Sequence, residues 1–358
     1  MAKDISIKRL DYIDIAKSLG MLTIIWGHII HYGWSNQIVY AFHIPLFFFL
    51  SGMVFKAEKY PTVWDLIKKR AKTLLLPYLI FSLATWALWV GMRIVANDST
   101  NYWYPLLQTF IAQGSGGYLR HNLPLWFVLC LFLVEILYYW INKLPKLYSI
   151  LLCIGVSVFG CVMEAQGIIS WNSLPWSFDG ALICLLFYAS GHWLIERVSH
   201  AKLQNIINGK KAFAWFVIIA LTIVLYFSSV YNGYVTIGSN KVGNNIAFFY
   251  LNSYIGIVIM LFFCIYLSNR KLNFKLGGIL SYIKWFGQNS FYAMATHFPI
   301  KESLGRIVNK VFSCDVHSDI KYAVIVFVLT LIIDSIVVWG CCWIKEKWNK
   351  ITQKYSFS

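Results

Sequence analysis

The sequence predicts an all-α membrane protein with about ten transmembrane helices and both termini in the cytoplasm. Of its 358 residues, 59% are hydrophobic and only 13% are charged, which is roughly half the charged fraction of a soluble domain. Apolar stretches long enough to cross a bilayer recur from one end of the chain to the other. Most of the 31 Lys and Arg residues fall in segments on one side of these stretches, and the positive-inside rule assigns that side to the cytoplasm.

Each predicted span is an apolar run of about 20 residues, as a bilayer requires. The first span contains Asp14 and Lys17 and has no small-residue cleavage site behind it, so it is predicted to be retained rather than removed as a signal peptide. The segment 56–72 is predicted as a short interfacial helix that leads into the third span. The ten predicted spans are 10–32, 39–56, 73–96, 123–141, 148–166, 178–195, 212–231, 246–268, 281–300 and 322–343.

Composition also argues against several classes of protein. The net charge of +16 is explained by the positive-inside pattern and by attraction to anionic lipid, rather than by nucleic-acid binding. The eight cysteines form no Cys-x-x-Cys pair, so neither a disulfide framework nor a zinc site is predicted. The polar stretches at about 97–122 and 301–321 are too short to bury a core of their own. We therefore expect residues 1–358 to form a single transmembrane domain without a separate soluble domain.

The first span carries ionisable residues along one face. Lys17 and His28 are eleven residues apart, and eleven steps of about 100° return to within about 20° of the same face. Asp14 lies about 40° from His28 by the same count. Such a stripe is expected to face the bundle interior or a water-filled cavity. The alternatives are that Asp14 and Lys17 pair near the interface, with Lys17 reaching the headgroups, and that His28 is an ordinary interior histidine.

The next two spans add further candidates. His43 is predicted near the outer end of the second span, at the level of His28. The basic residues Lys68, Lys69 and Arg70 precede the third span and have the chemistry to bind phosphate groups. The positive-inside rule alone also explains these three basic residues, because they lie in a segment predicted to be cytoplasmic.

Small and acidic residues within the spans have both structural and functional interpretations. Ser51 and Gly52 favour close helix packing. Glu135 and Asp334 lie inside predicted spans, where an acid is a functional candidate by default. Pairing of either acid with a basic group on a neighbouring helix is an equally good explanation.

A family resemblance rests on the order of six blocks. A basic residue, ten further residues and then His in the first span are the hallmark of the acyltransferase-3 family of integral-membrane acyltransferases, which the chain resembles over nearly its whole length. The fucose 4-O-acetylase-like branch is the most similar. Lys17 stands where that family usually has Arg, which keeps the charge but loses the bidentate geometry. The blocks are DIAKSLGMLTIIWGH (14–28), FHIPLFFFLSG (42–52), KKRAKTLLLPYLIF (68–81), LPLWFVLCLFL (123–133), LLFYASGHWL (185–194) and FGQNSFYAMATHFPI (286–300).

The resemblance implies a multi-pass O-acetyltransferase of the bacterial cytoplasmic membrane. Its donor substrate would be cytosolic acetyl-CoA, with no metal, and its acceptor a hydroxyl of a surface polysaccharide or lipid-linked sugar at the outer face. The implied partners are acyl-CoA, a carbohydrate and membrane lipid, but no nucleic acid. One alternative is another acyl group, such as succinyl. Another, from a different class, is a transporter or flippase of a lipid-linked sugar, but the paired broken helices typical of transporters are not found in the sequence.

The resemblance also implies roles for individual residues. His28 would be the general base, or a transiently acylated nucleophile, because an imidazole titrates near neutral pH. Asp14, the second predicted catalytic residue, would orient or neutralise Lys17, or hold water near it.

Two further sets would bind the substrates. Trp126 would stack on a sugar face, while His297 and Asn289 also have structural explanations, as an interfacial histidine and a helix cap. The predicted CoA-binding residues are Lys17, Arg70, Lys69 and Lys68, and the predicted acceptor-binding residues are His43, Trp126, His297 and Asn289.

Overall fold

The computed structural model covers most of the chain. It describes residues 10–30, 33–98, 100–114, 119–165, 174–209, 211–270 and 274–355. The ends of two predicted spans, at 31–32 and 166, therefore lie outside the described residues.

Within these ranges the structure confirms the all-helical class. The described residues form no β-strand, and their β-type pairing is limited to one isolated antiparallel bridge between Thr236 and Lys241. The helices are α1 (Asp11–Ile29), α2 (Gly33–Met53), α3 (Val63–Arg70), α4 (Leu76–Val95), α5 (Trp103–Ile111), α6 (Trp126–Ile141), α7 (Lys146–Ala165), α8 (Phe178–Arg197), α9 (His200–Gly209), α10 (Lys211–Asn232), α11 (Ile246–Ser268), α12 (Phe274–Gln288), α13 (Ser290–Phe312) and α14 (Ile320–Tyr355).

Seven helical stretches of the described chain are long and apolar enough to cross a membrane, so the chain is a multi-pass membrane protein. The spans predicted on α1, α2 and α13 are not among them, since ionisable and polar residues lower their apolar content. The count of about ten spans and the cytoplasmic termini stay predictions. The seven stretches are Val63–Val95, Leu123–Ile141, Lys146–Met163, Pro175–Arg197, Phe213–Asn232, Ile246–Ser268 and Ile320–Thr352.

Helices α2 and α8 pack with their backbones nearly touching. A Cβ added at Gly52 would lie 1.9 Å from the Tyr188 carbonyl oxygen, and one added at Gly191 would lie 2.1 Å from the Phe49 carbonyl oxygen. Neither position therefore tolerates a side chain without moving a helix. Small residues commonly allow such close approach in membrane bundles, and the prediction of close packing at Gly52 is confirmed.

The helical run before the third predicted span is continuous with it. α3 begins at a capping box in which the Asp65 amide donates to the Thr62 hydroxyl and the Thr62 amide donates to the Asp65 carboxylate. A π-helical turn, Ala71–Leu75, then joins α3 to α4. π-turns are rare and are frequently found at functional sites.

The predicted span 281–300 is a broken helix rather than a single one. α12 ends at Gln288, α13 begins at Ser290, and Asn289 lies between them. α12 packs closely against α1, where a Cβ added at Gly287 would lie 1.8 Å from the Asp14 carbonyl oxygen. This contact places the break beside the first turns of α1.

Candidate active site

One cavity of about 360 Å³ brings together residues from distant parts of the chain. Its size falls within the range of small-molecule pockets, about 300–1,000 Å³. Four of the residues predicted as functional line it, namely Lys17, His28, His43 and Trp126. The other six do not.

α1 supplies the long axis of this cavity. Lys17 and His28 both line it, so two of the three residues of the predicted stripe face a cavity, whereas Asp14 does not. Eleven residues at 1.5 Å each separate their levels by about 16 Å along the helix. We call the two regions the Lys17 end and the His28 end of the cavity.

Asp14 lies on α1 outside the cavity lining. It is 4% exposed, and its Oδ2 accepts a hydrogen bond of 3.0 Å from Gln288 Nε2. One turn earlier, Asp11 pairs with Lys284 at 2.6 Å. The acids of α1 therefore help to hold α12 in place.

His28 lies against two aromatic rings of α13. Its ring stacks on that of His297, with centroids 5.6 Å apart and an interplanar angle of 28°. Phe298 meets it edge to face, at 5.7 Å and 84°. These two contacts fix the orientation of the His28 ring.

His297 is fully buried, and it lies behind His28 rather than on the cavity wall. Its Nδ1 is 2.9 Å from the Ala293 carbonyl oxygen, which assigns the Nδ1 proton in the neutral ring. Its Nε2 is buried and has no hydrogen-bond partner among the described residues. The ring is thus anchored to its own helix at one nitrogen.

His43 lines the cavity in a similar anchored state. Its Nδ1 is 2.7 Å from the Val39 carbonyl oxygen, so its Nδ1–H donates there and Nε2 is the acceptor of the neutral ring. Its ring meets Tyr40 edge to face at 4.8 Å. Tyr40 in turn donates to the Gly27 carbonyl oxygen at 3.2 Å, one residue before His28.

Tyr40 and Tyr234 are lining residues that the sequence interpretation missed. Their rings lie 4.9 Å apart, and Tyr234 is 47% exposed. Aromatic residues near span ends are ordinarily membrane-interface anchors, so position alone did not single them out. An accessible aromatic face beside His43 suits the apolar face of a sugar ring.

Trp126 is held by glycine backbones. A Cβ added at Gly114 would lie 3.0 Å from the indole, and one added at Gly238 would lie 3.1 Å from its Nε1. Trp126 itself is 6% exposed. Most of the ring is covered, and only its remaining edge reaches the cavity.

The loops at the His28 end are tied together by polar contacts. Asp179 accepts hydrogen bonds of 2.8 Å from the Leu174 amide and from Asn240 Nδ2. Residues with positive φ cluster in these loops, which marks constrained backbone of a kind found at functional sites. They are Ala112, Leu119, Trp176, Ser177 and Asn240.

His121 and Asn122 connect the segment before α6 to other helices. His121 Nε2 lies 3.0 Å from the Ser82 hydroxyl, and Asn122 Nδ2 donates to the Ala295 carbonyl oxygen at 2.7 Å. Burial lowers the pKa of His121 from 6.5 to about 4, because a desolvated imidazole resists protonation. His121 is therefore neutral at physiological pH.

Arg70 is engaged by an acid. Its Nε pairs with Glu135 Oε2, a carboxylate on α6 that is nearly inaccessible to solvent. Tyr188 approaches the other carboxylate oxygen at 3.5 Å. The structure thus supports pairing with a basic residue as the reason that Glu135 lies inside a span. Lys68 and Lys69, by contrast, are exposed on α3.

Asn289 occupies the N-cap position of α13, but its side chain does not cap the helix. Its Nδ2 donates to the Trp285 carbonyl oxygen at 2.9 Å, and its Oδ1 accepts from Cys342 Sγ at 3.1 Å. The capping interpretation is therefore wrong, because the side chain turns back to α12 and across to α14. Asn289 joins three helices next to Ser290, which lines the cavity.

Asp334, the second acid considered within a span, also has a local partner. It is fully buried on α14 and accepts a hydrogen bond of 2.6 Å from the Thr296 hydroxyl. Thr296 is the neighbour of His297 on α13. The contact joins α13 to α14 beside the stacked histidines.

Comparison with known proteins assigns the family. A family model described as an acyltransferase domain matches residues 10–342, nearly the whole chain. No curated protein and no solved structure matches the chain. The matched region includes every residue that lines the cavity. The chain therefore belongs to the acyltransferase-3 family of membrane acyltransferases.

Proposed function

We propose that this protein is an acyl-CoA-dependent O-acetyltransferase. It moves an acetyl group from cytosolic acetyl-CoA to a hydroxyl of a surface polysaccharide or lipid-linked sugar at the outer face of the bacterial cytoplasmic membrane. The observation that carries the proposal is the shared cavity, in which Lys17 lies at one end and His28 and His43 lie at the other.

His28 is the group we assign to the chemistry. Its imidazole takes the proton of the acceptor hydroxyl as the oxygen attacks the thioester carbonyl carbon. The carbon–sulfur bond then breaks, and the proton passes to the CoA thiolate. A route through an acetylated His28 uses the same residue as nucleophile. In both routes the stacked contact with His297 holds the ring in place.

The Lys17 end suits the anionic donor. A partly buried ammonium on the cavity wall attracts phosphate more strongly than an exposed one, since water screens it less. Lys68 and Lys69 are exposed on α3, and we assign them to the first attraction of the anionic donor. Asp14 holds the start of α1 against α12. Arg70 is paired with Glu135, so it would have to break that ion pair before it could bind a phosphate of the donor.

The His28 end suits a carbohydrate. His43 offers a neutral acceptor nitrogen, and Tyr234 offers an accessible ring on which a sugar stacks. Trp126 supports the same wall. His297 acts through His28, and Asn289 acts by holding Ser290 at the wall.

The decisive experiment uses the purified protein in proteoliposomes loaded with radiolabelled acetyl-CoA on the side of the N-terminus. We expect label to appear on glycan supplied to the opposite side, and His28→Ala to abolish it without changing the melting temperature. Full transfer by His28→Ala would overturn the assignment. Transport of a lipid-linked sugar without acetylation would favour the flippase instead, and transfer from succinyl-CoA but not acetyl-CoA would change the donor.

A further inference from the structure

A second, smaller cavity lies beside the His28 end but outside the site described above. It measures about 90 Å³, several times the roughly 10–15 Å³ that one water needs. α13 and the segment joining it to α14 form most of its wall, and Ile29, the residue after His28, and Val326 of α14 complete it. A group the size of a phosphate or carboxylate fits within it.

The spacing of residues on α13 creates this hollow. Glu302, Gly305, Arg306 and Asn309 follow one another at intervals of three, one and three residues, so they share one helix face. All four line the cavity. A Cβ added at Gly305 would meet nothing within 4 Å, so the missing side chain leaves the centre of the face open. Asn309 Oδ1 accepts the Val316 amide at 2.9 Å, which holds the facing segment.

The charge of the wall is predominantly positive. Lys301, Arg306 and His317 line the cavity together with a single acid, Glu302. The Lys301 ammonium lies 2.6 Å from the Glu302 carboxylate, and the Lys301 side chain is only 11% exposed. Burial alone would raise the pKa of Glu302, but Lys301, Arg306 and His317 outweigh it and lower the pKa. The positive charge of the basic groups therefore exceeds the negative charge of Glu302, and this excess favours the binding of an anion in the cavity.

Direct contacts connect this cavity to His28. The Lys301 ammonium sits 4.6 Å from the centroid of the Phe298 ring, and Phe298 meets the His28 ring edge to face at 5.7 Å. An anion bound among these bases is thus separated from His28 by one aromatic ring. A substrate that presented both an anionic group and a hydroxyl would span that distance.

We propose that this cavity, lined by Lys301, Arg306 and His317, binds the oxyanion group, phosphate or carboxylate, of an anionic carbohydrate acceptor. The inference rests on the proposed function, because it assumes that the acceptor hydroxyl reacts at His28. It narrows the acceptor from carbohydrates in general to those that carry a negative charge near the acetylated hydroxyl. Arg306 supplies planar donors that match either oxyanion.

An anionic lipid headgroup shares this chemistry but fits the location less well. Ile29, the residue after His28, lines this cavity, so the cavity lies next to the end where His43 and Tyr234 form the proposed carbohydrate wall. A headgroup requires no catalytic residue near it, whereas an acceptor does. We therefore assign the cavity to the acceptor and make lipid an outcome of the test.

The first test measures binding without catalysis. Inorganic phosphate is added to the detergent-purified protein at constant ionic strength, and the melting temperature is followed. We expect a saturable increase that is lost in Arg306→Gln and in Gly305→Leu, which fills the hollow. Lys310→Gln, on the same helix but outside the cavity, and Gly91→Leu, at another open helical glycine, should keep the increase. His28→Ala should also keep it, so a failure of the proposed chemistry does not remove this readout.

The second test compares two acceptors that differ only in the anionic group. Arg306→Gln should raise KM for the anionic acceptor by about tenfold or more, as loss of a charge-assisted hydrogen bond does, and leave kcat and the KM of the neutral acceptor unchanged. Equal KM effects on both acceptors would overturn the proposal. The absence of any saturable effect of phosphate would also overturn it. So would retention of phosphatidylglycerol by the wild type but not by Arg306→Gln, which would assign the cavity to lipid.

Discussion

The imidazole rings of His28 and His297 are stacked, with centroids 5.6 Å apart and planes inclined by only 28°. Neither ring nitrogen of His297 is hydrogen-bonded to His28, since Nδ1 faces the Ala293 carbonyl oxygen and Nε2 has no hydrogen-bond partner among the described residues. His297 therefore does not relay a proton directly to His28. It instead provides a buried ring that keeps the His28 ring in one orientation, and correct orientation of the proposed catalytic group would contribute strongly to catalysis.

Replacement of His297 tests this positioning role. His297→Ala removes the ring and should lower kcat by about tenfold to a hundredfold, with the KM for acetyl-CoA unchanged. His297→Phe retains a flat ring and should restore most of kcat with an unaltered pH–rate profile. Equal losses in the two variants, measured by steady-state kinetics, would mean that a ring nitrogen of His297 is required.

Lys17 should govern donor affinity. Lys17→Ala removes a charge from the cavity wall and should raise the KM for acetyl-CoA by about tenfold to a hundredfold, since hydrogen bonds to charged groups are worth about 1.5–3 kcal/mol. Lys17→Arg should retain most of the affinity. Binding of acetyl-CoA by calorimetry measures the change, with Lys347→Ala on exposed α14 as the control. An unchanged dissociation constant would contradict the donor assignment.

The pair formed by Arg70 and Glu135 should contribute to stability as a unit. Arg70→Gln leaves a buried carboxylate without its partner, and we expect a loss of about 3 kcal/mol or more. The double variant Arg70→Gln, Glu135→Gln should recover most of that loss. Chemical unfolding in mixed micelles measures all three proteins. A double variant as unstable as the single one would show that the pair is not the source of the effect.

His121 should make stability depend on pH. Its folded-state pKa of about 4 lies below the ordinary 6.5, so between these values the unfolded chain binds a proton that the folded chain does not. Its contribution is complete above about pH 6.5 and is lost as pH falls toward 4, by up to about 1.4 kcal/mol per unit. His121→Gln should flatten this part of the profile. An identical pH dependence of the melting temperature in both proteins would refute it.

Much of the architecture could be predicted because lipid restricts what a chain can do. A spanning segment must satisfy its own backbone hydrogen bonds, so apolar runs of the right length became helices. The exceptions are instructive. α1 and α13 contain ionisable residues that we assign to the proposed site, and these same residues keep the helices out of the set defined by length and apolar composition.

The candidate site could be predicted only in part. Helical periodicity put Lys17 and His28 on one face, because both residues belong to the same helix. Periodicity cannot reach between helices, and so Tyr234 and the partner of Arg70 were not found. Asn289 was misinterpreted for a related reason, since a side chain in the N-cap position normally bonds forward, and Cys342 became its neighbour only through the packing of α14.

The backbone contact between α2 and α8 bears on how the acyl group of the proposed reaction would cross this protein. Gly52 and Gly191 lie directly against carbonyl groups of the opposing helix. Because no side chains separate the two backbones there, the helices cannot slide past each other. A carrier that opens alternately to each side moves one group of helices as a body against another. The two helices instead lie with their backbones in direct contact. His43 and Ser51, both on α2, line the cavity. In the function that we propose, the acetyl group would therefore pass through a cavity whose α2 wall does not slide against α8.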